Sequence, residues 1–256
     1  MLVEDPRLPP LLTGHGVKAP LRPFDEACRA AAEGRLGAAD LVYARHTSRV
    51  DLALILEPDV VRSNALQMVP LFVLAAIEGV GALMPPQTSV LWRWPERLAV
   101  NGAEAGRFSF AMAPADQDEA PAWMVLGIDI DLMERSAGHE PGHTPHRTTL
   151  QVEGAGETSR SQFIETIAAY ALTWINRWTE AGFGPVHGAL VGRIEGHGDE
   201  PSEFTSSGDR LRGSVLGIDD EMRLLVKLAQ GGIRALPIEE YVTSGPHGDA
   251  GVRCAP

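Results

Sequence analysis

Apolar residues recur along this chain with two periods, one near 3.6 and one near two, and the stretches between are rich in Gly, Pro, Asp and Ser. Residues 23–32 open on Pro23-Phe24-Asp25-Glu26 and run into alanines before Gly34, which predicts a helix of about three turns with an acidic start. Two short apolar runs, 41–44 and 52–56, flank the polar stretch His46-Thr47-Ser48-Arg49 and read as strands with a tight connection. A longer apolar segment over 65–83 has Ser63 or Asn64 as its cap and Pro85-Pro86 as its stop, so a helix is expected there. Residues 89–94, 98–100, 105–112 and 123–132 follow as strands of one sheet. Asn101-Gly102 marks a hairpin, because both residues tolerate positive φ. Phe163, Ile167, Tyr170, Ala171, Trp174 and Trp178 fall at helical spacing within 161–179 and give the clearest amphipathic helix.

After that helix the composition changes. Residues 193–208 have the Gly, Glu, Asp, Pro and Ser content of a linker, and short strands are expected at 211–218, 222–228 and 233–236, turning at Asp219-Asp220. A separate β-rich unit over 211–241 and a tail from 244 complete the expected organisation.

Charge and cysteine usage narrow the function classes. With 34 acidic residues against 22 Lys and Arg, a net charge of −12 repels phosphate backbones and anionic headgroups over most of the surface. Nucleic acid and membrane are therefore not expected as partners, although one locally basic pocket stays compatible with this field. Cys28 and Cys254 lie at opposite ends and read as free thiols, Cys28 as a buried helix residue and no nucleophile. The apolar stretch 68–84 is interrupted by Pro70 and Glu78 and is shorter than the roughly 20 residues of a membrane span. The first residues carry no basic region leading into an apolar core, so a cytoplasmic protein is expected. His139, His143 and His146 cluster in a loop, but with no cysteine near and no zinc-type spacing they make a weak metal signal.

Three segments, in order, resemble the biotin-protein ligase family. Arg93-Trp94-Pro95-Glu96-Arg97 with the hairpin and Gly106 is similar to the family's KWPND strand, hairpin and glycine; Gly127-Ile128-Asp129-Ile130-Asp131 is similar to its GIGIN strand. Trp174, Trp178 and Gly182-Phe183, followed by Gly217-Ile218-Asp219, resemble the end of the catalytic domain and the start of a C-terminal barrel. The resemblance implies an α+β fold: a biotin/lipoate-protein ligase catalytic-domain-like mixed sheet flanked by helices over 1–195, a small C-terminal SH3-like β-barrel over 208–243, and a tail over 244–256. It also implies that a small carboxylic acid (biotin, lipoate or octanoate) is joined with ATP into an acyl-adenylate and passed to a lysine of a biotinyl- or lipoyl-carrier domain. The binding surface implied is His46, Arg49, Arg93, Trp94, Gly106, Arg107, Gly127, Asp129 and Asp131.

Several residues depart from that pattern. The family closes its site with a long Gly- and Arg-rich loop, whereas the connection here, His46 to Asp51, contains no glycine. Glu96-Arg97 replaces the Asn-Asp pair, Ala103 stands where a Lys contacts the activated acyl group, and Arg107 is the nearest cation. Asp129 and Asp131 bring negative charge where phosphates would sit. They share one face, opposite Ile128 and Ile130, and a solvated face competes with a binding role for them, as a solvated strand cation does for Arg93. Trp174 and Trp178 read as core or interface aromatics. Two functions follow: a divergent ligase, or a non-catalytic homologue that binds a small acid, an adenylate or a carrier domain as sensor or adaptor.

Overall fold

The computed structural model describes residues 4–46, 48–133, 146–198, 201–206 and 209–244. In chain order they form β1 (Thr13–Val17), α1 (Pro23–Ala32), β2 (Asp40–Ala44), β3 (Arg49–Leu56), α2 (Arg62–Ala65), α3 (Met68–Gly81), β4 (Val90–Arg93), β5 (Arg97–Val100), β6 (Ala103–Met112) and β7 (Met124–Asp131). Then come α4 (Arg160–Ala181), α5 (Gly184–Leu190), β8 (Ser202–Ser206), β9 (Asp209–Ile218), β10 (Arg223–Leu228), β11 (Ile233–Pro237) and β12 (Val242–Ser244). Two 3-10 turns, Val191–Arg193 and Ile238–Tyr241, link the later elements.

The main sheet runs β1-β2-β3-β7-β6-β5-β4. Its β1–β2 pair is parallel and the others along this path are antiparallel, so the sheet is mixed. β7 lies between β3 and β6, and both of its faces are covered. Val50, Leu52, Leu54, Leu126, Ile128, Ile130, Phe108 and Phe110 pack toward α3 and α4. The alternate residues Ala53, Ile55, Val125 and Ala111 pack under Ala27, Cys28 and Ala31 of α1. Period-two alternation with both faces apolar is what a sheet between two helical layers requires.

Apart from Glu78, which accepts from Trp174 Nε1, α3 is apolar around its circumference and almost entirely buried, as expected of a core helix rather than a surface one. Arg62–Gly81 is long and apolar enough by composition to cross a membrane, but 78% of its most apolar window is buried inside the fold. Gly79 lets α4 come close: a Cβ there would stand 2.9 Å from the Ile167 Cα.

Four expectations change. The single helix over 65–83 is divided into α2 and α3. Pro70 has no N–H to donate four residues back, so the helix restarts with Pro70 in the first turn of α3. Arg49, Val50 and Asp51 belong to β3 rather than to the connection, because Val50 is fully buried and all three pair with β7. β1 was not foreseen, since Thr13-Gly14-His15-Gly16-Val17 carries two glycines and little apolar alternation. The expected linker contains buried Ile194, which bridges to Trp92, and β8, whose Phe204 is buried.

The expected hairpin is present, with Asn101 at φ 48° and Gly102 at φ 84° between β5 and β6. α4 starts with a capping box in which Ser159 and Gln162 satisfy each other's backbone N–H. The C-terminal strands form a second, antiparallel sheet in the order β11-β10-β9-β8. Its inner residues Val215, Leu224, Val226 and Leu236 belong to the same apolar cluster as Trp92, Val186 and Leu190. β12 leaves that sheet and runs parallel to β6, pairing Val242 with Phe110 beyond the point where β5 ends. Ser244, the first residue of the expected tail, is the last of β12, and the rest of that tail lies outside the described residues. His139 and His143 also lie outside them; His146 is exposed, and no group of three or more His, Cys, Asp or Glu among the described residues could hold a metal.

Candidate functional site

The sheet face under α1 changes character along its strands. On β3 the residues facing α1 are Ile55 and Ala53, then Asp51 and Arg49; on β7 they are Val125 and Gly127, then Asp129 and Asp131. Small apolar residues lie where the helix covers the sheet. Charged ones begin where it ends. There the segment before α1, residues 19–22, forms one wall of a cavity of about 540 Å³ floored by Asp51, Arg107, Ser109, Asp129 and Asp131 and rimmed by Arg22, His46, Glu104 and Arg147.

Register sets the order of charges across this floor. Arg93 pairs with Arg97, Arg97 with Arg107, Arg107 with Asp129, and Asp129 with Asp51, so one cross-strand row changes from basic to acidic over five strands. Directly opposed residues share a face, which is why the row is continuous. Gly106 belongs to the neighbouring row, and a Cβ on it would stand 2.8 Å from the Asp129 carbonyl oxygen, so this position requires close backbone approach.

The cations are unequally engaged. Arg49 donates from Nε to Asp129 Oδ1 at 2.5 Å, and its Nη2 lies 3.5 Å from Asp131 Oδ1. Asp131 also accepts from Arg147 Nη2 at 2.9 Å. Glu104 is bonded by Arg97 and stands 3.8 Å from Arg107 Nη2, leaving Arg107 the looser of the two. Asp51 is only 8% exposed and makes no side-chain hydrogen bond or ion pair among the described residues. Burial, and then the charge of Asp129, push its pKa up to about 7, against the opposing pull of Arg22 and Arg49. Burial also raises Asp129, with Arg49 opposing it.

The fold therefore brings His46, Arg49, Gly106, Arg107, Asp129 and Asp131 to one cavity and leaves three other expected residues outside it. Arg93 donates to both oxygens of Glu195 and to the Gly102 carbonyl, the last at 2.8 Å, tying β4 to the chain after α5. Trp94 is a core residue, with its ring centroid 4.9 Å from that of Trp92 and 6.3 Å from that of Tyr241. Gly127 lies beneath Phe24 of α1, where a Cβ would meet the Phe24 ring at 2.7 Å.

Sequence reasoning missed Asp51, Arg22, Glu104, Ser109 and Arg147. For Asp51 a signal existed: it is the one charged residue inside the run from Val50 to Leu56, where an unpaired carboxylate is costly. The others come together only through tertiary contact.

A model of the biotin/lipoate A/B protein ligase family matches residues 8–192. The bifunctional ligase/repressor BirA of Bacillus spizizenii is 24% identical over 189 residues, 74% of this chain and 57% of that protein; BirA of Bacillus subtilis is 23% identical over the same shares. The chain thus spans 57% of the length of these curated relatives. Among solved structures, a biotin protein ligase-like protein of unknown function from Silicibacter sp. TM1040 is 32% identical, covering 94% of this chain and 100% of that one with a TM-score of 0.81. The biotin protein ligase of Aquifex aeolicus in complex with biotin and ATP is 15% identical, covering 89% and 95%, with a TM-score of 0.65. That second likeness is one of fold.

Proposed function

We propose, starting from the fact that the chain belongs to the biotin/lipoate A/B protein ligase family, that the cavity over Asp51 binds a small carboxylic acid without activating it. Biotin, lipoate and octanoate are the first candidates. In this reading the chain acts as a sensor of the acid or an adaptor for a biotinyl- or lipoyl-carrier domain.

One observation carries the reading: Arg22, Arg49, Arg107 and Arg147 line the cavity against Asp51, Glu104, Asp129 and Asp131, so cations and carboxylates are equal in number. A single ligand carboxylate can be met by Arg107 and Arg147, the two most exposed of the ion-paired arginines here, through a charge-assisted fork. The residues present do not fit the phosphates of ATP. A unit negative charge about 6 Å from a carboxylate costs roughly 3 kcal/mol at an effective dielectric of 20, and a triphosphate brings several such charges while Arg49 is held by Asp129 and Asp131. The connection between β2 and β3, residues 45–48, is also too short to fold over a bound adenylate.

A second reading, ATP-dependent ligation of the acid to a carrier lysine, is supported by family membership and by the fold shared with a ligase that binds biotin and ATP. Thermal stabilisation by biotin, lipoate and octanoate, measured beside ATP–pyrophosphate exchange with each, separates the two. Stabilisation without exchange supports the binding reading. Exchange replaces it with the ligase. Neither response removes the small acid from the account.

The same proposal places the chain in the cytoplasm and expects neither nucleic acid nor a membrane as partner, because a charge of −12 repels phosphate backbones and anionic headgroups over most of the surface. It takes residues 1–195 as the ligand-binding domain and 208–243, which hold β9, β10 and β11 of the antiparallel sheet, as a small SH3-like barrel.

A further inference from the structure

Asp51 is a buried carboxylate with no partner among the described residues, and it faces an open cavity. Its oxygens are not sealed from the cavity, so the partner they lack can be supplied only by what enters there. The charges that act on it come from every side: Arg22 ahead of α1, Arg49 on its own strand, Asp25 on α1 and Asp129 on β7. Arg49 is bonded to Asp129, and Arg22 forms no ion pair with Asp51. Two strands away in the same row stands Arg107, whose contact with Glu104 is 3.8 Å long. The cavity thus has an acidic pole and a basic pole about 10 Å apart, two strand spacings.

We infer that the cavity selects a zwitterionic acid, with an ammonium group seated between Asp51 and Asp129 and a carboxylate met by Arg107. This rests on the small-acid reading above but replaces its first candidates, none of which carries a nitrogen cation, with acids that carry one at the end remote from the carboxylate. An ammonium supplies three donors and a charge, so it gives Asp51 the charge-assisted partner that it lacks. The apolar end of octanoate would instead cover a buried carboxyl group without satisfying it. Sites built to hydrogen-bond a ligand group reject analogues that lack it far more strongly than apolar pockets reject a missing methylene.

Isothermal titration of the full chain at pH 8 with 6-aminohexanoate, hexanoate and octanoate tests this. The amino acid is expected to bind at least tenfold more tightly than hexanoate. Asp51→Asn, or Asp129→Asn should the first variant not fold, is expected to bring it down to the level of hexanoate. Equal or tighter binding of hexanoate or octanoate by the wild-type chain overturns the inference and leaves the small-acid reading standing. A tenfold preference that survives both substitutions overturns the assignment to this acidic pair. No binding of any of the three acids overturns the inference, and the small-acid reading falls with it only if biotin and lipoate also fail to stabilise the chain.

Discussion

Asp51 on β3 and Asp129 on β7 are directly opposed across the central pair of strands, and Arg49 bonds only the second of them. Both carboxylates line the cavity, but Asp129 shares its charge with Arg49 while Asp51 has no such partner among the described residues. Burial raises the proton affinity of both carboxylates, and a neighbouring charge adds to it, that of Asp129 at Asp51 and that of Asp131 at Asp129.

This relationship makes stability depend on pH. Asp51 has its pKa raised from 3.8 to about 7, so between those values the folded chain holds a proton that the unfolded chain has released. Stability is then highest at low pH as far as this group is concerned, falls as pH rises through that window, and is level above it. The full effect is up to roughly 4 kcal/mol. Asp51→Asn should unfold in urea with a stability roughly 2–4 kcal/mol above wild type at pH 8. That advantage should vanish toward pH 4, and one independent of pH would count against the raised pKa.

Arg49 holds two carboxylates, and its side chain is 20% exposed. Arg49→Ala leaves Asp51, Asp129 and Asp131 facing one another and should cost roughly 1–3 kcal/mol, discounted from a fully buried pair because solvent reaches the site. The loss should be smaller at pH 5, and Asp129→Asn in the same chain should recover part of it. Additive single and double variants in urea melts would show that the pair is not coupled.

The contact between Gly127 and Phe24 fixes α1 on the sheet. Gly127→Ala places a methyl group against the Phe24 ring and should destabilise the chain by roughly 1–3 kcal/mol. Combining it with Phe24→Ala should cost less than the sum of the two single changes. Because α1 follows the segment that walls the cavity, ligand-induced stabilisation should weaken in Gly127→Ala and partly return in the double variant.

Trp92, Val186 and Leu190 share one apolar cluster with Val215, Leu224 and Leu236, although the chain between them has a linker's composition. A single proteolytic nick between residues 193 and 208 should leave the two pieces associated, held also by β12 on β6. The nicked chain should elute from gel filtration at the size of the intact one, and a free C-terminal fragment under native conditions would contradict this.

The sequence by itself determined the elements whose cause is local. Alternation gave the strands around Phe108 and Ile128, helical spacing from Phe163 to Trp178 gave α4, and Asn101-Gly102 gave the hairpin, because side-chain periodicity and backbone sterics act within a few residues. It also indicated that Arg107, Asp129 and Asp131 share a sheet surface, through their resemblance to family motifs. Only the tertiary structure decided which charges meet. Asp51 opposes Asp129 by the register of β3 and β7, Arg49 pairs with Asp129 across the same ladder, and Arg147 reaches Asp131 from a different connection. Arg93, at the far end of the same row, is drawn instead to Glu195, more than a hundred residues later in the chain. Whether a charged side chain floors a cavity or ties two segments together depends on strand order and partners distant in sequence, and no local pattern encodes those.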